Sequence, residues 1–226
     1  IMSLKVYYCN VGIEINGLSV NNEISNNTSL LLAGEDSYGI HFTGNVPTEG
    51  WRIINTLIFG AKFGIWAEQT SHINILNSMI DFCGWIGVYL GSPLNSLEPN
   101  KIGCYNWNIS HNYIAMTGNA GSAIYLNNSI PNIYFRGNKI TNNDFLVYPD
   151  SYADRGVHQE GIESKYDLIQ GNSFLNFRTF DIETAVGTYA IVANNFMLSD
   201  HNTISCYVSD DTKFSDNHTK GNVVVK

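Results

Sequence analysis

The side chains best suited to chemistry are the carboxylates of Glu163, Asp181 and Glu183. Two related segments carry them, Gly161-Ile162-Glu163-Ser164 and Asp181-Ile182-Glu183-Thr184, so the two glutamates hold equivalent positions. Two glutamates stacked in this way repel each other, which favours a shared proton or a bound cation. Glycoside hydrolysis needs one protonated and one ionised carboxyl group, about 5–5.5 Å apart in retaining enzymes and about 6.5–9.5 Å apart in inverting ones. We therefore expect these residues to be catalytic, with the pairing left open; an ordinary solvated polar row is the alternative.

The same four-residue pattern recurs along the chain, and its third residue lies between two inward apolar residues. That third residue is therefore predicted to point outward from a strand. In chain order, the outward residues are Glu14, His41, Trp66, Tyr89, Tyr125, Glu163, Glu183 and Ser205. Exposed aromatic residues in a row are unfavourable unless something covers them. A row of rings that leads into carboxylates suits a sugar chain, so we expect Trp66, Tyr89, Tyr125 and His41 to bind substrate. A face that is simply stabilised by its rings, or covered by another chain, is the alternative.

Asp181 has a special place in this pattern, because most copies carry glycine at the corresponding position. The missing side chains predict a shallow trough beside the outward row, with the Asp181 carboxylate next to Glu183. Further charged residues, Arg155 and His158 among them, lie in an insertion just before Glu163. Arg155 and His158 could bind an acidic sugar or supply a base, as a lyase requires. An ordinary loop with solvated charges is the alternative.

A second pattern, apolar-x-x-polar-x-apolar, alternates with the first. Several of its copies are separated by about 22 or 23 residues, a period that predicts a solenoid of short stacked strands. Its polar position is predicted to mark a turn, where asparagine tolerates the left-handed conformation and can bond to its copy one coil away. The residues at this position are Asn22, Thr56, Ser78, Asn112, Asn138, Asn172, Asn194 and Asn217.

Composition narrows the functional classes. The chain has 226 residues, 29 of them Asn and 20 Gly, and only 14% are charged. The formal net charge of −8 argues against a nucleic-acid-binding surface, which needs clustered Lys and Arg. No apolar run approaches the roughly 18 residues of a membrane span. The chain begins with Ile1 and runs directly into a strand-like segment, so we expect an excerpt of a longer protein.

The alternation of short strands with Asn-bearing turns resembles the right-handed parallel β-helix of the pectate-lyase-like superfamily. This resemblance implies an all-β fold, a right-handed parallel β-helix of about eight coils, with residues 1–226 as one domain. The paired-Asp and Gly-His motifs of polygalacturonases and the metal-binding Asp set of pectate lyases are not found, and no metal or cofactor is expected. Low charge and Asn-rich turns are similar to bacteriophage tailspikes and related polysaccharide depolymerases. That likeness implies a homotrimer and an extracellular or virion-surface location.

The sequence thus predicts a polysaccharide-cleaving glycoside hydrolase. Hydrolysis is preferred to elimination because three carboxylates cluster on the row and basic residues there are few. A polysaccharide lyase, a non-catalytic carbohydrate-binding adhesin and a structural β-helix covered by another subunit are the alternatives.

Overall fold

The computed structural model describes residues 1, 3–26, 28–34, 36–91, 104–118, 121–128, 137–149, 151, 153–161, 165–184, 189–200, 204–208 and 212–225. No helix in these ranges is long and apolar enough to cross a membrane. The strands are β1 (Lys5–Cys9), β2 (Val11–Ile15), β3 (Glu23–Ile24), β4 (Ser29–Leu32), β5 (Tyr38–Glu49), β6 (Arg52–Ile54), β7 (Leu57–Phe59), β8 (Phe63–Ser71), β9 (Asn74–Leu76), β10 (Met79–Cys83), β11 (Ile86–Gly91), β12 (Asn108–Ser110), β13 (Tyr113–Met116), β14 (Ser122–Asn128), β15 (Lys139–Thr141), β16 (Asp144–Val147), β17 (Arg155–Gly161), β18 (Lys165–Gln170), β19 (Ser173–Leu175), β20 (Phe180–Glu183), β21 (Tyr189–Ala193), β22 (Phe196–Met197), β23 (Ile204–Val208), β24 (Lys213–Ser215), β25 (His218–Thr219) and β26 (Asn222–Val225).

Every third strand belongs to the same sheet. The first sheet has the order β1-β4-β7-β10-β13-β16-β19-β22-β25, the second β2-β5-β8-β11-β14-β17-β20-β23-β26, and the third β24-β21-β18-β15-β12-β9-β6-β3. All of the pairings are parallel, for example β11 with β8 and β14. The all-β class is therefore confirmed, and the three long parallel sheets are consistent with the predicted β-helix. Its right hand and its count of about eight coils stay predictions.

One apolar core lies inside the three sheets. Each coil contributes a residue from each sheet, such as Ile58, Ile65 and Ile75, and all three are buried. Alternation along each strand produces this core, since successive side chains point to opposite faces of a sheet. The core is what fixes which residues point outward and can form a site.

A ladder of buried asparagines follows the turn between the third and first sheets. Asn172 is typical: its Oδ1 accepts from the backbone N–H and the side-chain amide of Asn143, both at 3.0 Å, and its Nδ2 donates to the Ile140 carbonyl at 2.9 Å. The same bonds link Asn112, Asn143, Asn172, Asn195 and Asn217. The residue before each ladder position has positive φ, as in Asn142 and Asn194. The predicted contact between neighbouring copies is therefore confirmed.

Three members of the predicted polar row are wrong. At this turn, hydrogen bonds between neighbouring coils involve Thr28, Asn143 and Asn195. These residues take the places that the sequence assigned to Asn22, Asn138 and Asn194. At Asn194 the error is one residue, because Ile191 and Val192 are both apolar and either could face the core. The structure buries Val192 and exposes Ile191, and a one-residue slip exchanges the two faces of a strand.

The glycines of the first pattern do not form an outer trough. A Cβ added to Gly64 would lie 2.4 Å from the Gly87 carbonyl oxygen and 2.4 Å from Cγ2 of Ile80, a core residue. Gly39 and Gly87 meet the same kind of obstacle. The missing side chains therefore allow two sheets to approach at a corner of the core, and the expected trough is wrong.

Candidate functional site

The predicted outward row exists along the second sheet, with two exchanges near its end. Cross-strand register aligns Glu14, His41, Trp66, Tyr89, Tyr125, His158 and Glu183 in this order. His158 therefore occupies the place that the sequence assigned to Glu163, and Tyr207 pairs with Glu183 where Ser205 was expected. The first error arises because Gly156-Val157-His158 matches the pattern as well as the segment at Gly161 does. The second arises because Tyr207 lies between apolar Cys206 and Val208, just as Ser205 lies between Ile204 and Cys206. Glu163 itself lies outside the described residues.

The middle of this row is a second apolar cluster on the outer face of the sheet. Trp66 and Tyr89 stack with ring centroids 3.9 Å apart, and they are only 6% and 0% exposed. Phe63 and Ile86 are buried with them, and Tyr38, Trp85 and Tyr125 pack at the edge. The expectation of exposed Trp66 and Tyr89 rings is therefore wrong. Rings on consecutive strands bury one another here, so these two residues stabilise the fold.

The polar atoms of the buried rings have partners on the neighbouring row. Trp66 Nε1 donates to Glu68 Oε1 at 2.8 Å, and the Tyr89 hydroxyl accepts from Asn127 Nδ2 at 3.1 Å. A side chain at Gly91 would collide with Tyr89, since an added Cβ would lie 2.7 Å from its hydroxyl oxygen. Burial raises the pKa of the Tyr89 phenol, so this hydroxyl stays protonated.

His41 lies towards the other end of the row, away from Glu183. Its ring stacks on Tyr38 with centroids 4.8 Å apart. Partial burial lowers the pKa of His41, and the nearby Glu14 carboxylate opposes this effect. This half-buried imidazole remains a predicted substrate contact only.

The residues that combine acid, base and cation lie where the aromatic cluster ends. The imidazole of His158 stacks on Tyr125, with centroids 4.7 Å apart and 9° between the planes. On its other side, His158 Nε2 lies 3.4 Å from Glu183 Oε2. The same carboxylate oxygen accepts from Arg155 Nε at 2.5 Å. Side-chain exposure falls from 29% at Arg155 to 15% at His158 and 13% at Glu183. We call Tyr125, Arg155, His158, Glu160 and Glu183 the acid–base cluster.

Glu160 completes this cluster from the neighbouring row. The Tyr125 hydroxyl donates to Glu160 Oε2, and Glu160 itself is exposed. Burial is the main cause that raises the pKa of Tyr125, and its bond to Glu160 and that residue's charge add to it. The Arg155 guanidinium acts in the opposite direction. Tyr125 therefore holds its proton at neutral pH.

Arg155 and His158, predicted on an inserted loop, are instead part of strand β17. Their place in the sheet gives them fixed orientations, which a loop would not. The sequence signal was available, because Gly156-Val157-His158-Gln159 follows the first pattern. The cluster thus joins four predicted site residues, Tyr125, Arg155, His158 and Glu183.

Asp181 is not part of the outer cluster. It occupies the glycine position of its coil and is fully buried. The pKa of the neighbouring Cys206 thiol is raised, mainly by burial of that thiol and further by the Asp181 carboxylate. The expected surface pair of Asp181 and Glu183 is therefore wrong, because that position faces the core. No group of three or more metal-ligating side chains occurs within the part of the chain that the structure describes.

No protein-family model matches the chain, and no curated protein matches it. Among solved structures it is similar to a glycoside hydrolase, with 10% identity, a TM-score of 0.33, and coverage of 85% of this chain and 38% of that one. It is also similar to an alginate lyase from Paenibacillus sp. str. FPU-7, with 12% identity, a TM-score of 0.35, and 98% of each chain covered. This chain thus spans well under half the length of the glycoside hydrolase. Both TM-scores are below 0.5, so the comparisons assign neither a family nor a function to it.

Proposed function

We propose that this protein binds a polysaccharide on the outer face of its second sheet and cleaves it at the acid–base cluster. One observation carries the proposal: His158 is held between the ring of Tyr125 and the carboxylate of Glu183 on consecutive strands. A partly exposed imidazole fixed between an aromatic ring and a carboxylate is the arrangement of a positioned proton-transfer group.

Glu183 orients His158 for this role. A neutral imidazole that donates from Nε2 to Glu183 carries its lone pair on Nδ1, because the partner of one ring nitrogen decides the tautomer. Arg155 Nε binds the same carboxylate oxygen and holds it in place. His158 Nδ1 is then the general base of the cluster.

Arg155 favours an acidic sugar as the substrate. Its Nε contacts Glu183, while Nη1 and Nη2 make no hydrogen bond or ion pair with any residue that the structure describes. Two outward N–H groups in a planar fork match a carboxylate. Arg155 would therefore neutralise the carboxylate of a uronate residue, despite the formal net charge of −8 on the whole chain.

These roles fit β-elimination. His158 takes the proton from the carbon next to the uronate carboxylate, and the C–H electron pair forms a C=C bond as the C–O bond to the leaving sugar breaks. The leaving oxygen takes the Tyr125 hydroxyl proton, and solvent returns a proton from His158 to Tyr125. Arg155 stabilises the negative charge that develops on the uronate. The high pKa of Tyr125 keeps this proton in place until the alkoxide forms.

Hydrolysis is the second candidate, because Glu160 and Glu183 both belong to the cluster. One carboxyl group would protonate the glycosidic oxygen, and the other would act as base or nucleophile. Participation of Glu163, predicted from the sequence, remains part of this candidate. A homotrimer and an extracellular or virion-surface location likewise remain predictions.

The product distinguishes the candidates. The protein is incubated with alginate, polygalacturonate, xylan and dextran, while absorbance at about 235 nm and new reducing ends are followed. Elimination of an acidic polymer raises both signals together. Reducing ends without absorbance support hydrolysis. If neither signal rises with any polymer, cleavage is wrong and a non-catalytic binding protein is the better interpretation.

A further inference from the structure

Phe82 has an unfavourable backbone conformation on a different face of the molecule. It lies near the end of β10, where the register against β13 shifts between Ile80 and Cys83, and its φ is 60°. The left-handed region is disfavoured for residues with a side chain, and bulky residues there are outliers. Such outliers persist where the surrounding structure or a function compensates for them.

Some other coils fill this place with residues that suit it, although Tyr8, the aligned residue of the first coil, is also left-handed, with φ 55°. Asp81 pairs with Phe59 on the neighbouring strand, so the residues that follow them, Phe82 and Gly60, occupy equivalent places. Gly60 has a φ of 79°. At the end of β19 the left-handed residue is Asn176, with φ 66°. Glycine and asparagine adopt this conformation readily, so the turn does not require an aromatic ring.

The Phe82 ring is also poorly buried. It is 45% exposed and stacks on Phe59, which is 37% exposed, with centroids 5.2 Å apart and 16° between the planes. Tyr148 approaches it with centroids 5.4 Å apart. A strained residue that stays nearly half exposed contributes little to the core, so a stability role is a weak reason for it.

A carboxylate lies beside these rings. Asp81 Oδ1 accepts from the Tyr148 hydroxyl at 2.9 Å and from the Phe82 backbone N–H at 2.7 Å. Asp81 Oδ2 has no hydrogen bond to any residue that the structure describes, although the side chain is largely buried. We call Phe59, Asp81, Phe82 and Tyr148 the Phe82 patch.

We propose that the Phe82 patch is a carbohydrate-binding site, separate from the acid–base cluster. A sugar ring packs its C–H face against Phe59 and Phe82, and one of its hydroxyl groups donates to Asp81 Oδ2. The site holds a polymer without cutting it, so it does not depend on cleavage at His158.

Charge favours a sugar over a second copy of the chain. Each copy carries a formal net charge of −8, and pairing two copies through this patch would bring their Asp81 carboxylates into a shared apolar interface. Burying the Oδ2 atom of such a carboxylate without a donor is costly. A sugar hydroxyl supplies the donor and adds no charge.

The experiment measures binding and thermal stability in the same variants. Electrophoresis through gels that contain alginate, polygalacturonate, xylan or dextran gives the dissociation constant from the retardation of the band. We expect at least one polymer to retard the wild-type protein. Phe82→Gly should weaken that binding about tenfold and leave the melting temperature equal or higher, because glycine relieves the strained φ. Phe82→Asn, which has the residue type of Asn176, repeats the test if the glycine variant fails to fold.

Phe196→Ala is the matched control, because Phe196 is an exposed ring of the same sheet with an ordinary φ. It should leave retardation unchanged. A dissociation constant that is unchanged in both Phe82 variants overturns the proposal, as does a wild-type protein that no polymer retards. A lower melting temperature in both, with unchanged binding, assigns the ring to the fold. A molecular mass that doubles only when Phe82 is present assigns the patch to contact between copies and also overturns the proposal.

Discussion

The phenol ring of Tyr125 and the imidazole ring of His158 lie parallel on neighbouring strands, with centroids 4.7 Å apart. A second tyrosine–histidine stack, Tyr38 and His41, forms within the single strand β5, with centroids 4.8 Å apart and 18° between the planes. Of these two histidines, only His158 forms an ion-pair contact within 4 Å with a carboxylate that the structure describes, that of Glu183. The stacking is thus common to both pairs, and the carboxylate is what makes His158 a candidate base.

Burial of the aromatic row leads to the first prediction. Tyr89→Ala should lower the free energy of unfolding by about 3–5 kcal/mol, the usual loss for a buried aromatic side chain. Tyr89→Phe should cost about 1 kcal/mol, because it removes only the hydroxyl contact with Asn127. Urea unfolding measures both. Unchanged stability in Tyr89→Ala would mean that the ring is exposed, as the sequence suggested.

The close approach of the sheets at Gly64 leads to the second prediction. Gly64→Ala should lower the free energy of unfolding by about 1–3 kcal/mol, because the new methyl group meets the Gly87 carbonyl and Ile80. Gly84→Ala is the control, since an added Cβ there meets only the Lys62 Cα, at 3.6 Å. Equal denaturation midpoints for the two variants would contradict the proposed crowding.

The third prediction concerns the asparagine ladder. Asn172→Ala should cost about 1–3 kcal/mol for each buried group that loses its hydrogen-bond partner. The backbone N–H of Asn143 and the carbonyl of Ile140 each lose the bond that Asn172 makes to them. The control is Asn142→Gly, a change at an exposed position of positive φ that glycine accepts. It should change stability by about 0.5 kcal/mol or less. If chemical denaturation finds equal losses, the ladder does not stabilise the fold.

The fourth prediction concerns pH. The pKa of His41 is lowered in the folded protein, mainly by burial. As pH falls below about 6.5, the unfolded chain binds a proton at His41 that the folded chain refuses, so folding loses stability until the folded pKa is passed. The drop in melting temperature between about pH 7.5 and about pH 5.5 should therefore be smaller in His41→Gln than in the wild type. An equal or larger drop would show that His41 does not titrate in this way.

Much of the fold could be predicted because the core imposes a strict pattern. Ile109, Asn112 and Ile114 were assigned correctly, since apolar residues on both sides of the ladder position leave one register. Ile191 and Val192 were not distinguished, because two adjacent β-branched residues fit either face. Only contacts between coils, which one strand's sequence does not contain, select Val192 for the core.

The candidate site was half predictable for a related reason. The outward positions of Trp66, Tyr89 and Tyr125 followed from alternation, but their burial did not, because it depends on stacking between coils. Asp181 was misplaced because a glycine position looks the same whether the missing side chain faces solvent or core. His158 and Glu163 stand in two successive matches to the same pattern, Gly156-Val157-His158-Gln159 and Gly161-Ile162-Glu163-Ser164, and the pattern alone does not choose between them.

The most direct test of the central claim compares two histidine variants. His158→Gln and His41→Gln each remove an imidazole of the outward row that stacks on a tyrosine. Only His158→Gln removes the partner of Glu183. The measurement is the initial rate at about 235 nm on the acidic polymer that the wild type cleaves. At saturating polymer, we predict a loss of about 10²–10⁴-fold for His158→Gln, the usual contribution of a general base. The saturated rate of His41→Gln should stay within about twofold of wild type, because the loss of a substrate contact raises KM and leaves kcat unchanged. A His158→Gln protein that folds and turns over at the wild-type rate would contradict the assignment of His158 as the base.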